Sequence, residues 1–272
     1  MTHRTERNLL IFVVTVSVHC VAAAQETATV ELPHFDVASI KAEDPNVPRL
    51  MGVRVHPGGR VEIAGFPLKA LLTTAFDMGF WQISGGDEWV SKDTYFVEAN
   101  PPDALRSSIK SLRHTLFGID DPLLRQMLQA LLIERFHLKF HRETKTGDVY
   151  LLKRNERPLA LNPAKIPAGA LESNSFGSIG YVDGRWSIFA TTMSQLAKFA
   201  SSMMLHAPVQ DQTGLTGSFD YRQPQPDLEP QYDADQSHSF KAFLSVAGFK
   251  LERSRGPVEE FVIDFAARPT AN

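Results

Sequence analysis

Gly59-Arg60-Val61-Glu62-Ile63 and Gly184-Arg185-Trp186-Ser187-Ile188 are the two stretches on which the fold turns. Each alternates apolar and polar positions, the pattern of a half-buried strand, and each runs into a segment with apolar residues at helical spacing. In the first segment these are Leu68, Leu71, Leu72, Ala75 and Phe76; in the second, Met193, Leu196, Ala197 and Met204. Pro67 suits a first helical turn, and Thr192 with Gln195 has capping-box spacing. Both predict a strand followed by a helix.

The parallel continues outward. A Gly-rich turn and a strand over 93–99 follow the first helix; Gly214-Leu215-Thr216-Gly217 and a strand over 218–222 follow the second. Each half then has a second helix. Leu124, Met127, Leu128, Leu131 and Leu132 mark one, opened by Asp121-Pro122, and Phe240, Phe243, Leu244 and Ala247 mark the other. Strands over 135–140 and 248–252 follow at once, and closing strands over 148–153 and 258–265 end the halves. The order strand-helix-strand-helix-strand-strand thus occurs twice, which predicts an α+β fold. We read it as a tandem duplication of a small module, with helices packed on antiparallel or mixed sheets. The expected divisions are an N-terminal repeat over 25–154 with an added strand at 35–40, a connector over 155–183 and a C-terminal repeat over 184–272. The Pro-rich acidic run 223–236 reads as a solvated loop.

Before all this stands a leader. Arg4 and Arg7 precede an apolar stretch that runs on to Val21, followed by Ala22-Ala23-Ala24 and a polar turnover at Gln25. Basic start, short apolar middle and small residues are the three parts of a secretory signal, so residues 1–24 are expected to be cleaved between Ala24 and Gln25. The apolar part is short for a bilayer span, which needs about 20 such residues. Cys20, the sole cysteine, leaves with the leader, which removes thiol catalysis, disulfides and cysteine-ligated zinc from the mature chain. The whole chain carries −3, and Arg4 and Arg7 against Glu6 leave the mature part at −4. That mild balance gives no footprint for nucleic acid, and no later segment is long and apolar enough to span a membrane.

The chemical motifs are few. Gly85-Gly86-Asp87-Glu88-Trp89 is one letter from the signature of cyclic-dinucleotide synthases, but it reads as a turn whose glycines supply positive φ. His137 and His141 have the spacing of a helical zinc pair, yet Phe136, Leu138 and Phe140 alternate with them. On a strand, four residues span about 13 Å, too far for one metal. No Gly-x-Ser-x-Gly, phosphate loop or dinucleotide fingerprint is present. No catalytic residue, metal ligand or cofactor is therefore assigned. The candidate binding surface is Trp81, Asp87, Glu88 and Trp89, an acidic pair flanked by two aromatics.

Several longer strings carry a resemblance: 35–41, 82–89, 127–144, 211–221 and Arg255-Gly256-Pro257-Val258-Glu259. In this order they resemble the soil-associated family of exported proteins expanded in acidobacteria, across about 35–265. The family has no assigned activity, so the resemblance transfers no site. Some relatives carry this region behind a membrane-embedded metallopeptidase, which implies a sensing role beside such an enzyme. Each half is also similar in element order to the short periplasmic domain of secretins and TonB-dependent receptors, an analogy of shape only. The resulting expectation is a periplasmic or extracellular protein that binds an envelope protein or a small ligand without chemistry. An extracytoplasmic hydrolase is the rival.

Overall fold

The computed structural model describes residues 32–44, 46–47, 51–109, 119, 121–165, 178–224 and 236–270. The leader, the Ala24–Gln25 junction, the Pro/Gly/Ser part of the connector and most of the acidic run lie outside them. Within them are six α-helices and three four-stranded sheets.

The first outer sheet has the order β1 (Val37–Ala42), β5 (Thr94–Asn100), β3 (Val61–Pro67), β2 (Gly52–Val55), with all neighbours antiparallel. The second has the order β7 (Asn162–Pro163), β11 (Ser218–Arg222), β9 (Arg185–Thr192), β8 (Ser178–Val182), again antiparallel. β7 and β8 fall within the expected connector. Asp183-Gly184, both at positive φ, make the two-residue turn between β8 and β9.

Helix α1 (Leu68–Phe76) follows β3, with Pro67 as its N-cap, and the left-handed Asp77 ends it. Helix α5 (Met193–Phe199) follows β9 behind the expected capping box, in which the Thr192 hydroxyl accepts from the Gln195 amide at 3.2 Å. It does not stop there. A π-helical turn over Ala200–Leu205 prolongs it to His206, also left-handed. Helix α4 (Pro122–Arg135) is capped by Asp121, whose carboxylate accepts from the Leu123 and Leu124 amides. Helix α6 (Gln236–Ala247) is its counterpart in order. Two short helices, α2 (Trp89–Lys92) and α3 (Asp103–Arg106), complete the set.

The third sheet departs from the sequence reading. The strands expected as separate pieces at 135–140 and 148–153 are one continuous strand, β6 (Lys139–Arg154). Likewise 248–252 and 258–265 merge into β12 (Phe249–Phe265). The polar residues between the pieces, Thr144 to Gly147 and Ser254 to Pro257, do not turn back. They pair with the opposite long strand, which satisfies their backbone groups without a hairpin.

β6 and β12 run antiparallel along nearly their whole length. β4 (Ile83–Gly85) adds parallel to the far end of β12, and β10 (Val209–Asp211) adds parallel to the far end of β6. The ends of this ribbon enter two different cores. Phe140 of β6 meets Phe261 and Ile263 of β12 beneath α1, α4 and the first outer sheet. Leu152 of β6 meets Phe249 and Leu251 of β12 beneath α5, α6 and the second. Each lobe is therefore closed by a strand from the other half. Midway, Gly147 pairs directly with Gly256. A Cβ on Gly147 would lie 2.9 Å from a Val258 methyl, and one on Gly256 would lie 3.2 Å from a Val149 methyl. A side chain at either glycine would have to displace the facing valine.

Candidate functional site

The four residues singled out by sequence do not converge. Trp89 begins α2 and is 7% exposed; its ring stacks on Phe136 at 6.3 Å, with the Arg268 guanidinium 5.0 Å above it. It belongs to the first core. Asp87 and Glu88 point to solvent, and Glu88 pairs with Lys92 one helical turn on, at 2.5 Å. Trp81 sits in a 3-10 turn over Phe80–Gln82, half-buried, its indole against Gly79 and its buried Nε1 without a partner among the described residues. Gly85 and Gly86 have positive φ, and a Cβ on Gly85 would lie 2.5 Å from the Ile263 carbonyl. The Gly-Gly-Asp-Glu-Trp string thus turns the chain tightly against β12.

The histidines separate as well. His137 lies in the turn between α4 and β6 at φ 46°, while His141 lies on β6. There Nδ1 meets Asp264 at 2.9 Å and Nε2 meets Glu143 at 3.1 Å. Those hydrogen bonds, first to Asp264 and then to Glu143, raise its pKa above the usual value. Both ring nitrogens thus face carboxylates in a surface ion network, an arrangement that favours the protonated ring, which donates from each nitrogen. Lys145 extends that network to Glu143 and Glu260. No group of three or more potential metal ligands gathers among the described residues.

Concavity lies elsewhere. A cleft of about 290 Å³ opens where the two lobes meet. The first half gives it the end of α1 and the turn beyond, Asp77 to Gly79 with Gln82; the second gives Ser194, Lys198, Ser201 and Ser202 from α5 and its π turn, and the edge of β10. Asp77 joins the walls, because its carboxylate takes Arg125 of α4 at 2.9 Å and Lys198 of α5. Gln82 is held by its own side chain, whose amide donates to the Glu259 carbonyl of β12 at 2.9 Å. The hydroxyls of Ser194, Ser201 and Ser202 have no hydrogen-bond partner among the described residues, and no histidine lines the cleft. Such a surface offers hydroxyls, carboxylates and an ammonium group as donors and acceptors.

A family profile described as "Protein of unknown function (DUF3738)" matches residues 69–266. The chain belongs to this family. The matched span starts within α1 and ends just past β12, so both helix pairs, the ribbon and the cleft-lining residues lie within it. No curated protein and no solved structure matches the chain.

The cleft went unseen in the sequence because its walls come from segments more than a hundred residues apart. One local signal was present: Ser201-Ser202 interrupts an apolar helical stripe at the point where the helix widens into a π turn. π turns are rare and concentrate at functional sites.

Proposed function

We propose that this protein acts outside the cytoplasm as a binding protein whose ligand occupies the interlobe cleft, and that it performs no reaction there. The observation that carries the reading is the cleft itself, a concavity with convergent polar groups from both lobes. Export rests on the leader at residues 1–24. The recurrence of one strand order in the two outer sheets supports descent from a duplicated module, with the closing strands exchanged through the ribbon. Against a hydrolase stands Lys198, whose ammonium is held by Asp77 rather than by a cleft serine.

The test is a screen of the chain from Gln25 onward with free amino acids, glucosamine and blocked dipeptides, followed by amide chemical shifts. Binders are expected to move signals at Gly79, Lys198 and Ser201, and Ser194→Trp, which fills the cleft, is expected to abolish the response. Binders insensitive to Ser194→Trp, or labelling of a cleft serine by a fluorophosphonate probe, would contradict the proposal.

A further inference from the structure

We infer that the occupant of the cleft is an extended peptide bearing lysine or arginine, which adds as a strand to the free edge of β10; this rests on the cleft being the binding site. β10 is the outermost strand of its sheet. β6 holds it through the Tyr150 amide to the Pro208 carbonyl at 2.8 Å and the Gln212 amide to the Leu152 carbonyl at 2.9 Å. In a parallel ladder of this register, Gln210 faces β6, and the backbone N–H and C=O groups of Val209 and Asp211 face away. Those groups have no partner among the described residues, and Val209 and Asp211 are the strand residues that line the cleft. An unpaired strand edge inside a concavity is the feature that peptides use when they extend a sheet.

Ser194, Ala197 and Ser201 are small and lie along one helix face, and the serine hydroxyls are free to meet alternate side chains of a peptide. Charge selects among peptides. Asp77 is already engaged by Arg125 and Lys198, whereas Asp211 has no cation within ion-pair distance among the described residues. One Asp211 oxygen anchors its own turn, accepting from the Thr213 amide at 2.9 Å and the Thr213 hydroxyl at 2.8 Å. The other carboxylate oxygen is left for a ligand cation. The volume, at the small end for ligand cavities, suits a short stretch of chain.

The experiment uses three blocked hexapeptides: alternating threonine and lysine, alternating threonine and glutamate, and the lysine peptide N-methylated at alternate residues. Only the first is expected to slow hydrogen exchange at the Val209 and Asp211 amides, by about tenfold or more. Val209→Pro removes an outward N–H and spares the bonds to β6, so it is expected to keep the melting midpoint and weaken the lysine peptide about tenfold. Asp211→Asn keeps the turn acceptor and is expected to weaken it about threefold. Lysine-peptide binding that leaves both amides unprotected, or that survives N-methylation, overturns strand addition but keeps the cleft as a site. Binding of glucosamine or an amino acid in the cleft, with none of the peptides binding, does the same. Failure of the peptides and of all the small compounds overturns both. Should Val209→Pro lower the midpoint, the N-methylated peptide still decides the question.

Discussion

The two lobes share a plan and differ in how their first helix ends. In the first lobe α1 stops at Asp77 after nine residues, and a 3-10 turn carries the chain to β4. In the second, α5 passes into the π turn and ends only at His206 before β10. The junctions after the second helices differ too: His137 takes the left-handed conformation in one lobe and Gly248 in the other. The early stop places Asp77 opposite Lys198, and the late one places Ser201 and Ser202 in the cleft. The interlobe cleft thus forms where the two similarly ordered lobes differ.

The largest effects should come from breaking the exchange of strands. Phe261 stacks on Phe140 at 4.2 Å and is fully buried in the first core. Phe261→Ala should cost about 3–5 kcal/mol in denaturant unfolding. Amide exchange should rise first in α1 and α4, although Phe261 belongs to the second half; faster exchange confined to α6 would disprove the exchange. Phe249→Ala should do the converse in the second lobe, where it is 1% exposed.

A smaller contrast lies at the bulges of β3 and β9. Gly65 sits at one with φ 74° and Ala190 at the other with φ 45°. Gly65→Ala introduces left-handed strain and a 3.2 Å approach to Met51, and should cost about 1–3 kcal/mol. Ala190→Gly should be neutral or stabilise by no more than about 1 kcal/mol, because relief of strain is offset by unfolded-state entropy. Equal and same-signed changes in melting midpoint would end the equivalence of the two sites.

The smallest effect concerns the middle of the ribbon, which belongs to neither lobe. Lys145 first and then His141 hold Glu143 below its ordinary pKa, and Arg253 does the same for Asp148. Their contribution is present above the unfolded carboxylate values and is lost as pH falls through the lowered ones. His141, raised by Asp264 and then Glu143, contributes fully below its unfolded value of 6.5 and loses that contribution as pH rises through the raised value. These groups are exposed, so stability against pH should show shallow shoulders on both sides, and His141→Gln should remove the alkaline one. A shoulder that persists in His141→Gln assigns it elsewhere.

Local order was legible in the sequence, and long-range pairing was not. Asp121-Pro122, Thr192 with Gln195, and the apolar stripes of α1 and α4 act within a turn or two of chain, so their readings stand as helices. The strands expected over 135–140 and 148–153 are continuous through Thr144 to Gly147, because cross-strand pairing 109 residues away in sequence at Gly147–Gly256 outweighs the weak strand preference of small and polar residues. For Trp89 the sequence leaves a contact surface and packing between helix and sheet both open, because nothing local reveals Phe136 stacked on it. The cleft depends on Asp77 meeting Lys198, a contact that no window of sequence contains.

The Gly147–Gly256 crossing also dictates when the chain can become a protein. The first lobe is unfinished until Phe261 and Ile263 arrive, more than a hundred residues after Phe140. A nascent first half therefore exposes an open sheet and an unfilled core, and cannot settle early. Both lobes therefore close together, and only once the C-terminal strand is available.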